Sequence, residues 1–151
     1  MSGILTAATG NPFTVIVGSN RSGDGNSGAP DRPNLRPGRS NNPVLGKVEQ
    51  WYDPTAFTFP AAGTYGNLGR NTVMAPGRAT FNFSLVKTFH LTEAHTLTFR
   101  SEFFNLLNRA NFGLPNRTAF TATGAYAGNA GVIQELTTSS RQIQFGLRYS
   151  F

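Results

Sequence analysis

Three features of the sequence predict an all-β chain arranged as an antiparallel meander. Gly and Pro, 17 and 9 of 151 residues, punctuate the chain more heavily than helix formers fill it. Charged residues make up only 13% while aromatic residues reach 12%. Three segments, 79–89, 96–105 and 141–151, alternate apolar and polar side chains with the period of two that a strand imposes. The last is the clearest, with Ile143, Phe145, Leu147, Tyr149 and Phe151 on one face and Gln142, Gln144, Gly146, Arg148 and Ser150 on the other. The first face is too aromatic for water. The second is too polar for a soluble core, where Arg148 beside Gln144 would need partners that nothing nearby supplies. A strand with lipid on one side and a wet lumen on the other reconciles the two, and about ten residues suffice to cross. The expected fold is an incomplete segment, about four strands, of a large transmembrane β-barrel with long extracellular loops.

Composition narrows what such a chain does. Its net charge of +6 comes from eleven Arg and two Lys against seven acids, and its pI is near 10.5. That balance suits an anionic partner, nucleic acid or lipopolysaccharide, and chooses neither. The absence of Cys excludes disulfides, thiolate metal sites and Cys nucleophiles. No run of about eighteen apolar residues is present, so no transmembrane helix is expected. The first residues lack the basic, apolar and small-residue pattern of an export signal. Most of the thirteen Phe lie at or beyond Phe81, which places the expected core, or lipid face, in the C-terminal half.

In chain order, the first strand is expected over residues 2–17, as pieces 4–8 and 13–17 around a Gly10-Asn11-Pro12 break. Residues 18–78 are expected to be a loop of turn chemistry without periodicity, too long to sit structureless in a compact soluble domain. The strand 79–89 carries Phe81, Phe83, Leu85 and Phe89 on one face and Thr80, Asn82, Ser84 and Thr88 on the other, with Lys87 interrupting the apolar row. A short polar link, 90–95, leads into 96–105, where Leu97, Phe99 and Phe103 alternate with Thr98, Arg100 and Glu102. Residues 101–110 also fit a short helix, because Phe103, Leu106, Leu107 and Ala110 share a helical face. A second loop, 106–140, holds an expected extra strand around 131–136, and 141–151 closes the series. Threaded backwards from Phe151 with its end on the periplasmic side, the long connections fall outside and the short turn inside, as in outer-membrane barrels. The same threading brings Lys87 near the periplasmic interface, where its stem can snorkel.

Several short runs occur in a fixed order: Ser2-Gly3-Ile4-Leu5-Thr6 before Gly10-Asn11-Pro12-Phe13-Thr14-Val15, then Asp31-Arg32-Pro33-Asn34, Trp51-Tyr52-Asp53-Pro54-Thr55-Ala56-Phe57, Gly66-Asn67-Leu68-Gly69-Arg70-Asn71 with Pro76-Gly77, Glu102-Phe103-Phe104-Asn105-Leu106-Leu107-Asn108 with Asn111-Phe112-Gly113, and the ending 139–151. In that order they resemble TonB-dependent outer-membrane receptors, especially the Oar-like group with a carboxypeptidase-regulatory-like N-terminal domain. The resemblance implies a barrel of about twenty-two strands closed by a plug, a cell outer membrane location, and uptake of large or scarce nutrients driven through the TonB complex. It implies that Phe151, Tyr149, Leu147 and Phe145 form the signal read by the barrel-assembly machinery. Phe81, Phe83, Leu85, Leu97, Phe99, Phe103 and Ile143 are then expected to face lipid, and Arg100, Glu102, Gln144 and Arg148 the lumen. Implied partners are the rest of the receptor barrel and its plug, the assembly machinery and outer-membrane lipid. Residues 1–151 contain no plug or TonB-contact segment, so the chain is expected to be a C-terminal fragment from a truncated or split gene, not competent for transport alone. The alternative is a small soluble β-rich binding or adhesin-like module whose aromatic face packs against another molecule.

Candidate chemistry is sparse. Gly23 to Gly28 fits GxGxxG, but Pro30, Pro33 and Pro37 forbid the helix that would hold a pyrophosphate. Asp24 and Asn26 hint at a calcium loop that lacks its series of carboxylates and closing Glu. His90 and His95 with Glu93 could hold a metal, though surface histidines on a tight turn are far more often solvated. Ser139 and Ser140 have no catalytic context. Arg21, Arg32, Arg36 and Arg39 could meet phosphates, yet without interleaved aromatics they read as a disordered basic loop. No cofactor, no metal and no nucleic-acid partner is expected, and the chain is not expected to be an enzyme.

Overall fold

The computed structural model describes residues 1–26 and 30–151. In chain order its strands are β1 (Ser2–Ala8), β2 (Pro12–Phe13), β3 (Ile16–Val17), β4 (Asn34–Leu35), β5 (Phe57–Thr58), β6 (Val73–Met74), β7 (Arg78–His90), β8 (Thr96–Phe104), β9 (Thr118–Phe120) and β10 (Gln142–Ser150), with one 3-10 turn at Pro54–Ala56. No α-helix occurs among the described residues, so the chain is all-β as expected. It divides into two compact units, one of Met1–Thr9, Gly77–Asn111 and Leu136–Phe151, the other of Gly10–Pro76 and Phe112–Glu135.

The first unit is a four-stranded antiparallel sheet in the order β1-β7-β8-β10. Its strands pair as a meander, and the register puts the expected rows together: Phe83 lies opposite Phe103, Lys87 opposite Phe99 and Phe89 opposite Leu97. On the other side of β8, Ile143 lies opposite Phe103, Leu147 opposite Phe99 and Tyr149 opposite Leu97. One parity of all three strands therefore shares a face, as a sheet with one apolar environment requires. The first strand adds Leu5 opposite Phe81. Between β7 and β8 the chain turns tightly, with the Leu91 and Thr92 amides donating to the His95 carbonyl at 2.9 and 3.2 Å. At the other end, β8 stops at Phe104 because Asn105 takes a left-handed backbone, φ 50°. That conformation also removes the helical alternative for 101–110.

The second unit corrects the reading of the connections as structureless loops. Phe13, Val15, Val17, Tyr52, Ala56, Phe57, Leu68, Val73, Ala119 and Phe120 form a buried cluster within it. Three short ladders frame this core: β2 with β6 and β4 with β5, both antiparallel, and β3 with β9 in parallel. The expected strand 2–17 is thus two different things: one strand ending at Ala8, and two short pieces, β2 and β3, that belong to the second unit. Residues 131–136 form no strand; Gly131 and Val132 instead bond through their backbone to Asn116. The core expected only in the C-terminal half lies here as well, because a few large side chains brought together from distant positions bury as well as a periodic row does.

Close backbone approach explains two glycines of the second unit. A Cβ at Gly66 would come within 1.9 Å of the Arg32 carbonyl oxygen, and one at Gly10 within 1.7 Å of the Ala75 carbonyl oxygen. Only the absence of a side chain permits either contact. Of the GxGxxG run, Gly23 and Gly25 both adopt positive φ, 74° and 78°, with no helix at either, and the positions 27–29 lie outside the described residues.

Candidate functional site

The feature of the first unit that can do chemistry or recognition is its pair of unlike faces. On the odd-numbered face of β7, β8 and β10, Phe81, Phe83, Leu85, Leu97, Phe99, Phe103, Ile143, Phe145, Leu147 and Tyr149 share one surface. Phe145 and Leu147 are 65% and 70% exposed, far more than large apolar residues tolerate as a contiguous patch in water. From Tyr149 to Ile143 the row spans about 20 Å along the strand, and aromatic pairs lace it together. Phe83 and Phe103 lie 6.2 Å apart, Phe99 and Phe145 6.0 Å apart in a stacked arrangement. Ser101, buried in the row between Leu85 and Phe145, is small enough to let its larger neighbours close over it. Lys87, the one cation in the row, lays its ammonium 5.8 Å from the centre of the Phe89 ring, towards the short turn.

The other face is polar. Arg100 stands between Val86 on β7 and Gly146 on β10, and its guanidinium meets Glu102 at 3.8 Å. Arg148 lies opposite Thr98, and Gln144 opposite Glu102. Thr88 and Thr98 hydroxyls bond across the β7–β8 pair at 3.2 Å. Val86, Thr98, Arg100, Gly146 and Arg148 line an open hollow on the sheet. The expected lumen-facing set, Arg100, Glu102, Gln144 and Arg148, thus shares one face. Phe151 lies just past the end of β10, 91% exposed, with its ring 5.9 Å from that of Tyr149.

At the end of the sheet away from the short turn, a cluster of asparagines does what strand pairing does elsewhere. Asn111 is fully buried. Its side-chain Oδ1 accepts from the Ala79 amide at 2.7 Å, and its Nδ2 donates to the Ala79 carbonyl and the Thr138 hydroxyl, both at 3.0 Å. By the register, β8 has already ended before it could pair with Ala79, so the amide takes over the missing ladder bonds. Asn105 Nδ2 donates to the Arg109 and Ser139 carbonyls, and its backbone amide donates to Asn82 Oδ1. Asn108 Oδ1 accepts from the Arg141 amide. Sequence reasoning saw these asparagines only as family-like landmarks. Their one readable signal was Asn density where two strands end, since Asn both tolerates left-handed backbone and mimics a peptide group.

The remaining candidates are structural. The four arginines expected as a disordered basic loop are ordered in the second unit, each against a partner. Arg21 donates to the Pro60 carbonyl and lies 4.8 Å over the Phe59 ring. Arg32 donates to the Leu68 carbonyl, with the Arg36 guanidinium 3.4 Å from the Tyr126 hydroxyl. Arg39 pairs with Asp53. Partial desolvation pushes the Asp53 carboxyl up, but the Thr55 hydroxyl and amide, with Arg39 and Arg36, outweigh it and hold the carboxyl below its usual range. Tyr52, whose hydroxyl donates to the Asn116 carbonyl at 3.0 Å, has its pKa pushed well up by burial. No group of three His, Cys, Asp or Glu capable of holding a metal occurs among the described residues. His95, one of the two candidate histidines, is engaged instead with Tyr149: the rings stack at 5.7 Å and 3°, and the hydroxyl lies 2.7 Å from Nδ1.

No described helix is long and apolar enough to cross a membrane, which leaves crossing by strands untouched. Compared with known protein families, residues 1–144 match the outer membrane beta barrel domain. No curated protein and no solved structure matches the chain.

Proposed function

We infer, from the premise that the chain belongs to the outer membrane beta barrel domain family, that its four long strands are a stretch of barrel wall in a TonB-dependent receptor of the Oar-like group. The outer membrane is where the protein resides. In this reading the aromatic row turns to lipid, and Arg100, Glu102, Gln144 and Arg148 line the lumen. The connections between β1 and β7 and between β8 and β10 are extracellular, and the turn after β7 is periplasmic. The observation that carries it is an antiparallel meander with an exposed aromatic row on one face, a charged face behind it, and long connections at one end against a five-residue turn at the other.

The outer edges of β1 and β10 have no strand partner among the described residues. Unpaired edges cannot be satisfied in hydrocarbon, so the wall is completed by further strands, and transport belongs to the whole barrel with its plug. The receptor class rests on the ordered runs from Ser2 to the ending 139–151, several of which coincide with the second unit's core: Phe13, Tyr52, Phe57 and Leu68 are buried. In this reading the whole receptor passes solute, while these strands supply part of its wall and perform no turnover of their own. It meets lipid and the barrel-assembly machinery, not nucleic acid. The soluble-module alternative draws no support from the family match.

The test uses the full-length protein in its membrane. A membrane-impermeant maleimide should label Arg100→Cys and Gln144→Cys and spare Phe99→Cys and Phe145→Cys, and an uncoupler should abolish solute uptake. Equal labelling of both faces removes the wall orientation. Uptake that survives uncoupling leaves a barrel but removes the TonB-dependent class.

A further inference from the structure

We propose that His95 is the register key of the last strand: by holding Tyr149 it decides between two pairings of β8 with β10 that the apolar row alone tolerates. The proposal rests on the barrel-wall reading only in requiring that these strands pair in the membrane. Its readout is the pairing itself, independent of receptor class.

A slip of one residue would turn every side chain of β10 to the wrong face, so the two-sided pattern excludes it. A slip of two keeps the faces. Moved by two towards the Phe104 end of β8, β10 would set Phe145 opposite Phe103, Leu147 opposite Ser101, Tyr149 opposite Phe99 and Phe151 opposite Leu97, an apolar row as continuous as the native one. The opposite slip would carry Tyr149 and Phe151 beyond the strand onto the turn, where no ladder receives them. On the polar face the tolerated slip sets Arg148 opposite Arg100, a repulsion that water and salt screen.

Where β10 begins, the Asn108 and Asn105 side chains favour the native pairing through the Arg141 amide and the Ser139 carbonyl. At the far end, among the apolar side chains, what distinguishes the two pairings is one oxygen. The native ladder ends at Ser150 opposite Thr96, and from its place opposite Leu97 Tyr149 reaches His95 on the diagonal, which side chains of this length can span. The rings lie nearly parallel, and the hydroxyl and Nδ1 share a bond of 2.7 Å. It is the one hydrogen bond between side chains that joins the β8 side to β10 among the described residues. In the slipped pairing Phe151 would take the diagonal position, and it has no group to bond. Phe145 and Leu147 lack one too. The tyrosine is thus the single member of its row that a histidine can recognise.

Disulfide trapping in the assembled full-length protein decides the matter, at molar salt so that the Arg148–Arg100 contribution is suppressed. Thr96→Cys with Ser150→Cys reports the native register, and Thr98→Cys with Ser150→Cys the slipped one. In the parent the native pair should cross-link almost alone. His95→Ala, or Tyr149→Phe, should raise the slipped fraction about five- to tenfold, the weight of one hydrogen bond with or without a ring contact. His90→Ala, at the other end of the turn, should leave it unchanged. Tyr149→Phe is the deciding variant, because it keeps the ring and removes only the hydroxyl, so it assembles even where His95→Ala does not. An unchanged slipped fraction in Tyr149→Phe overturns the proposal.

Discussion

Asn111→Ala should unzip the far end of β7 while the rest of the sheet stays paired. The side-chain amide makes three hydrogen bonds, at 2.7, 3.0 and 3.0 Å, two of them to the backbone of Ala79. Truncation therefore orphans an N–H and a C=O at a site where Asn111 is fully buried. Each unsatisfied buried backbone group costs about 1–3 kcal/mol. The Thr138 hydroxyl can turn elsewhere, and water entering the vacated space recovers part of the loss, so the net expectation is about 2–4 kcal/mol of local stability. At 1.4 kcal/mol per factor of ten, hydrogen exchange at the Ala79 amide should accelerate by roughly thirty- to a thousandfold, while amides in the middle of β8 stay as slow as in the parent. Exchange followed by mass spectrometry on the solubilised full-length protein reads both. Asn111→Asp, equal in size, replaces the two donors by an acceptor facing the Ala79 carbonyl and should be at least as damaging. If Ala79 exchanged within about threefold of the parent in both variants, the substitution of an amide for a strand would be wrong.

Three further outcomes follow from the same geometry. Phe99→Lys should destabilise the barrel in lipid by about 2–4 kcal/mol and Thr98→Lys by much less, since a charge costs most on the lipid face near mid-membrane; denaturant unfolding in bilayers measures the difference, and equal losses would refute the face assignment. In the full-length protein, Phe151→Asp should sharply reduce the folded, heat-modifiable band on a gel while Ser150→Asp reduces it little, and equal assembly would strip Phe151 of its signal role. Asp53 has a folded pKa below its unfolded value of about 3.9, so its contribution to the 53–55 turn is complete above about pH 4 and is lost as pH falls through the lower folded value. Corrected for intrinsic rates, exchange of the Thr55 amide should accelerate in that acid window in the parent but not in Asp53→Asn, and a parallel response in the two would remove the carboxylate from the explanation.

The sheet was legible because its strands are long enough to carry a period. Arg78–His90 and Gln142–Ser150 each repeat the alternation four times or more, and the environment on each face leaves no other arrangement. The second unit was not legible for the complementary reason. Its ladders are two or three residues long, too short to show alternation, and its core depends on partners far apart in the chain, such as the Tyr52 hydroxyl on the Asn116 carbonyl. The four arginines illustrate the same limit. Their composition reads as an unsatisfied basic loop, yet carbonyls, a ring and Asp53 meet them from residues 14 to 90 positions away. The asparagines at the strand ends were visible as residues but not as donors and acceptors, since what they bond to is backbone, which every residue carries.

The parallel pairing of Ile16–Val17 with Thr118–Phe120 joins the two long connections to each other, although the whole β7–β8 hairpin separates them in sequence. The Ile16 and Gly18 amides donate to the Arg117 and Phe120 carbonyls, while Tyr126 reaches the Phe57 carbonyl. Neither connection is then a free module. Grafting residues 10–76 onto a homologous barrel without 112–135 would deprive Val17 of the wall it is buried against. Any hybrid with a homologous barrel should exchange both segments at once, and recombination with a single crossover inside the β7–β8 hairpin should yield poorly folded hybrids for the same reason.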